Sequence, residues 1–174
     1  SGNGSMPVPG WTGEYEWVDY IPFDELPRTF NPPEGYIVTA NNAVVGPDFP
    51  YFLGMDWDAG YRAQRIVELI EADPSLSLED MQAIQGNNSP VYAEDVLPYL
   101  QGLSTNEPRL AEALNLLRNW DGRAVRDSAG AALFEAFCLH LTDLTFGDEL
   151  GEQLLRRARG NAMVALVDVL ADPA

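Results

Sequence analysis

The sequence predicts an α+β fold, mostly helical, because its two parts carry different hydrophobic periods. Residues 1–58 hold short runs of β-branched and aromatic residues broken by Pro-Gly and Pro-Pro turns. From Gly60 onward, apolar residues recur at three to four positions, as they do on one face of a helix. With 174 residues and 46% hydrophobic content, the chain can bury one core or a slab of a larger one, and is too short for two independent domains. It reads as a single domain or fragment, with a strand- and loop-rich part, 1–58, and a helical part, 59–174.

Taken in order, Gly2-Asn3-Gly4-Ser5 is polar and glycine-rich and reads as a linker. In Asn31-Pro32-Pro33-Glu34-Gly35 the prolines stiffen the chain and Gly35 permits a sharp turn. Tyr36 to Thr39 then has the content of a buried strand, which would deliver two side-chain amides, Asn41 and Asn42, at its end. Ile66, Leu69 and Ile70 mark the first long helix. Ser77 followed by Asp80 is a capping-box pattern that starts a short second helix, ended by Gly86-Asn87-Asn88. Further helices are expected over Val91 to Leu100, Pro108 to Arg118 and Ala129 to Leu144, with two shorter pieces beyond Leu150. Pro98 should kink or shorten the first of these. Leu110, Leu114 and Leu117 form one core stripe, and Leu133, Phe137 and Leu141 another.

Composition removes several functions. Twenty-seven acidic against ten basic residues give a formal charge of -17, which disfavours nucleic acid and anionic membrane surfaces as partners. No apolar run reaches the length of a membrane span. Cys138 is the one cysteine, so no intramolecular disulfide forms, and its apolar neighbours make it a buried thiol rather than a nucleophile. His140 is the one histidine, which excludes a Ser-His-Asp triad and a histidine metal site and leaves it a core-edge residue. No phosphate-cradling or dinucleotide motif is present, so no nucleotide cofactor is implied.

Three blocks carry more specific information: Pro7-Val8-Pro9-Gly10-Trp11, Tyr20-Ile21-Pro22-Phe23-Asp24-Glu25-Leu26-Pro27, and Asn31-Pro32-Pro33-Glu34-Gly35 running on to Asn41-Asn42. In this order they resemble the penicillin acylase family of N-terminal-nucleophile hydrolases. The likeness extends through Phe52-Leu53-Gly54 to Glu71, Ser77 to Gln82 and the Asn119-Trp120-Asp121-Gly122 corner. The resemblance implies a segment of the β subunit of an amidohydrolase with an αββα fold in the intact parent. It implies cleavage of the amide bond of an acylated amine, such as a β-lactam side chain or an acyl-homoserine lactone. It also implies a serine nucleophile whose own α-amino group, with an ordinary pKa near ~7.7–8, takes the proton.

By that resemblance Asn41 donates its side-chain N–H to the tetrahedral oxyanion, and Arg62 stands close to the catalytic centre, where a guanidinium can orient the nucleophile's amine or a substrate carboxylate. Read without the family, the Asn pair is a plain turn and Arg62 a helix-face residue paired with Asp58 or Glu68, with Arg65 its local competitor. Ser1 opens a loop-like polar stretch rather than an apolar strand, so the nucleophile is expected in a segment absent from this chain, which alone would be inactive. The expected partners are the other precursor segments (the α subunit and the N-terminal part of the β subunit) and an acyl-amide substrate, in a periplasmic or extracellular setting. No cofactor is required. Structural calcium is common in the family, but Asp56-Trp57-Asp58-Ala59-Gly60 fails the EF-hand pattern because its twelfth position is Val67. The alternative function is a non-catalytic acidic interaction module, with Trp11, Trp17 and Tyr20 as contact residues.

Overall fold

A computed structural model describes Gly4, residues 6–158 and residues 162–172. Ser1 lies outside the described residues. The chain divides into two compact units, Ser1–Ala63 and Gln64–Ala174.

In the first unit the regular structure among the described residues is one 3-10 turn, Phe23–Glu25, and the start of helix α1, Tyr61–Glu71. The rest is extended chain and turns. One turn is closed by the Gly35 N–H donating to the Pro32 carbonyl at 3.0 Å, with Gly35 at φ 80°, a backbone state that a side chain would strain. The α+β expectation is therefore wrong. Among the described residues there are only helices and no strand. Tyr36–Thr39 has strand composition but no ladder forms along it, and Ile37 is 62% exposed. A strand exists only when a second backbone takes up its N–H and C=O groups, and β-propensity measures fit to such a neighbour.

The second unit holds most of α1, then α2 Leu78–Gln85, α3 Tyr92–Gln101, α4 Pro108–Arg118, α5 Ala129–Ala158 and α6 Ala162–Ala171. Local chemistry explains the starts. Ser77 and Asp80 form the reciprocal box, with Asp80 N–H donating to Ser77 Oγ at 3.2 Å and Ser77 N–H to Asp80 Oδ2 at 2.8 Å. The Glu107 carboxylate caps α4, accepting from the N–H groups of Arg109 and Leu110 at 3.2 and 2.8 Å, with Pro108 at the first helical position. Pro98 sits within α3 near its end. Helix α5 runs past the expected Leu144 and breaks its helical geometry at Gly151 (φ 67°, ψ 165°), so the short piece expected beyond Leu150 continues it across a kink.

Helix α3 packs against α4 and α6, and α5 against α4 and α6. Their shared core is Ala93, Val96, Leu100, Leu117, Phe134 and Cys138. Trp120 lies over Phe134 with ring centroids 5.1 Å apart, and Tyr92 stacks on it at 5.8 Å. Two expected stripes are shifted. On α5 the buried line is Phe134, Cys138 and Thr142, while Leu133, Phe137 and Leu141 flank it half-buried. Thr142 can occupy this line because its hydroxyl donates to the Cys138 carbonyl at 2.9 Å, leaving no unmet polar group. Leu110 is 56% exposed and His140 is exposed rather than at the core edge. Cys138 is buried, and burial, assisted by the charge of Glu135, pushes its thiol up to about 12.

Candidate functional site

The site is built inside the first unit from the end of the extended run and the start of α1. Asn41 adopts φ 60°, the left-handed state that asparagine tolerates better than most residues. Its carbonyl accepts the Asp58 backbone N–H at 2.9 Å, which closes the intervening loop back onto the asparagine. That closure brings Arg62, on the first turn of α1, to the same place.

Arg62 Nη2 is shared among three acceptors: the Ala40 carbonyl at 3.0 Å, Asn41 Oδ1 at 2.7 Å, and Asp58 Oδ2 in an ion pair. One nitrogen carries two hydrogens, so at least one of these contacts is three-centred. A guanidinium has no acceptor, so the amide atom facing it must be the oxygen. Asn41 Nδ2 is consequently the end of the amide not engaged by Arg62, on an exposed side chain.

The neighbouring amide is partly committed locally, through its oxygen and one of its two donor hydrogens. Asn42 Oδ1 accepts the Ala40 N–H at 3.0 Å and its Nδ2 donates to the Ala43 carbonyl at 3.0 Å. Of the two asparagines, Asn41 is the one whose two amide hydrogens are both uncommitted among the described residues. Ala40, between them and the extended run, is buried at 8% exposure and anchors the pair.

The expected site residues Asn41 and Arg62 are thus in direct contact. Arg65 belongs elsewhere: its Nη1 lies 3.0 Å from Glu68 and 3.9 Å from Glu94 of α3, so it is a helix-pairing residue. The surface pairing of Arg62 with Asp58, the plain reading of this arginine, is present together with the Asn41 contact. From the sequence Asp58 stands only as a surface partner for Arg62. Its signal was the Asp-to-Arg spacing of four, which by itself names only a surface pair. Among the described residues no three His, Cys, Asp or Glu side chains gather to hold a metal, and Asp58 pairs with Arg62.

The first unit exposes much apolar surface. Trp11, Trp17, Tyr20, Phe23 and Phe30 are 80–88% exposed. An open cleft of about 600 Å³ is lined by Thr29, Phe30, Pro32, Tyr36 and Ile37 among others. No helix among the described residues is long and apolar enough to cross a membrane.

Comparison with known proteins gives consistent results. Residues 1–174 match the family described as penicillin amidase. The chain is 41% identical over 143 residues to the penicillin acylase 2 proenzyme of Pseudomonas sp. strain SE83, covering 82% of this chain and 18% of that protein. It is 30% identical over 166 residues to the acyl-homoserine lactone acylase QuiP of Pseudomonas aeruginosa, covering 87% of this chain and 20% of that protein. It is 31% identical over 125 residues to penicillin G acylase of Escherichia coli, covering 67% of this chain and 14% of that protein. The chain thus spans at most about a fifth of the length of these curated relatives.

Proposed function

Since the chain belongs to the penicillin amidase family, we propose that it supplies the oxyanion-stabilising part of an amidohydrolase whose serine nucleophile comes from a segment outside this chain. The observation that carries the reading is the Arg62 contact on Asn41 Oδ1, which engages the acceptor end of the amide and leaves Nδ2 uncommitted. When a serine hydroxyl adds to an amide carbonyl, the carbonyl oxygen gains a full negative charge. A fixed N–H that meets this charge stabilises the transition state more than the ground state, and such a donor contributes about 2.7–4 kcal/mol. The positive guanidinium behind Asn41 polarises its amide and makes the N–H a better donor. Substrates of the class are acylated amines, among them β-lactam side-chain amides and acyl-homoserine lactones. By the same family likeness the parent enzyme acts in the periplasm or outside the cell.

The test is hydrolysis of a phenylacetyl amide and of an acyl-homoserine lactone by the full-length precursor carrying this chain. Asn41→Gly keeps the left-handed backbone at no steric cost and removes the side-chain amide, both its donor and the oxygen that accepts from Arg62. It should lower kcat by about a hundredfold or more with little change in KM. Unchanged kcat would reduce Asn41 to a turn residue. The isolated chain should hydrolyse neither substrate, and activity from it alone would overturn the assignment of the nucleophile to another segment.

A further inference from the structure

We propose that Asp58 is a positioning residue for the oxyanion donor, acting through Arg62 on Asn41. This rests on the reading of Asn41 given above. Asp58 touches the site twice: its carboxylate pairs with Arg62 Nη2, and its backbone N–H holds the Asn41 carbonyl at 2.9 Å. The two contacts have different consequences. The backbone bond fixes where residue 41 sits, and any residue at 58 except proline can make it. The carboxylate fixes where the guanidinium sits, and the guanidinium determines which end of the Asn41 amide faces outward.

The pair is unsuited to holding the fold together. The side chains of Asp58 and Arg62 are 51% and 58% exposed, and ion pairs this open to water add little to stability. Orientation is what they supply. An arginine side chain has several rotatable bonds, and Ala40 O and Asn41 Oδ1 are both neutral acceptors that water can replace. Without the charged third acceptor Arg62 swings into solvent, the Asn41 amide loses its reason to keep Oδ1 inward, and the outward donor is present only part of the time. A donor present a tenth of the time costs about tenfold in rate.

The experiment uses Asp58→Ala, Asp58→Asn, Asn41→Gly and the Asp58→Ala/Asn41→Gly double variant in the full-length precursor. It also follows the Asn41 side-chain amide by 15N NMR in this chain. The expected results are about a tenfold fall in kcat with KM held for Asp58→Ala, little recovery in Asp58→Asn, whose amide oxygen is another neutral acceptor that water can replace, and no further loss when Asp58→Ala is added to Asn41→Gly. A large Asn41→Gly effect with a silent Asp58→Ala, or a loss from Asp58→Ala that persists in full in the Asn41→Gly background, overturns the positioning role and leaves the oxyanion reading intact. A silent Asn41→Gly overturns the oxyanion reading. The NMR signal then decides the positioning claim alone: exchange averaging of the Asn41 amide in Asp58→Ala supports it, and an unaltered signal refutes it.

Discussion

Gly130→Ala should destabilise the helical unit, against the usual benefit of replacing glycine in a helix. A Cβ at position 130 would lie 2.7 Å from both Cβ and Cγ of Trp120, about 0.7 Å inside the 3.4 Å where ordinary contact begins. Trp120 has little room to retreat. Its indole N–H donates to the Arg123 carbonyl at 2.9 Å, and its ring rests 5.1 Å from that of Phe134, which is 0% exposed. Overpacking of this kind costs about 1–3 kcal/mol. The gain in helix propensity is at most about 1 kcal/mol, and less here because Gly130 is the second residue of α5. A net loss of roughly 1–2 kcal/mol follows from the difference, which lowers Tm by about 4 °C or more for a unit of this size. Urea titration followed by far-UV circular dichroism measures it. Trp120→Ala removes the Cγ and Cδ1 contacts, so Gly130→Ala should cost less in that background. A Gly130→Ala variant as stable as the parent, or an equal cost in both backgrounds, would show that the close approach is not what requires glycine.

Two further outcomes follow from the packing. Because burial raises the Cys138 thiol to about 12 while an unfolded thiol ionises near 9, the unfolded state releases its proton first. The stability held by the neutral thiol is intact below pH 9 and is lost as pH rises through about 12. Cys138→Ala should flatten that alkaline loss in urea titrations between pH 8 and about 10.5, and an identical pH slope in both proteins would refute it. Arg118 donates from Nε and Nη2 to the Gln101 carbonyl at 3.3 and 3.1 Å, and from Nη2 to the Leu103 carbonyl, tying off the end of α3. Arg118→Met should cost about 1 kcal/mol, as for an exposed charge closing a helix C-terminus. Arg118→Lys should recover only part of it because an ammonium cannot fork, and full recovery would show that charge alone suffices.

How much was legible in the sequence depended on the range of the interaction. The starts at Ser77 and Pro108 and the helical period after Gly60 rest on groups within four residues of one another, so they read directly and fell within a residue or two of the observed bounds. The family motifs around Asn31 to Asn42 were equally legible, since each is a short string. Other expectations depended on what lies across the chain. Tyr36–Thr39 has strand chemistry, yet no strand forms without a second backbone beside it. The core face of α5 is rotated by one residue because Thr142 satisfies its own hydroxyl and can be buried, a fact invisible in a pattern of apolar letters.

The candidate site shows the same division. The sequence alone determines that Asn41 and Asn42 are both amides, that Arg62 is a permanent cation, and that Asp58 precedes it by one helical turn. Only the tertiary structure decides which amide keeps its whole donor end uncommitted. Asn42 closes on its own neighbours, whereas the Asp58 bond to the Asn41 carbonyl folds the loop so that Arg62 meets Asn41 Oδ1. The physical reason is that a side-chain amide has a donor end and an acceptor end of nearly equal shape. Which end faces outward is set by the charge brought against it, and that charge lies 21 residues away along the chain.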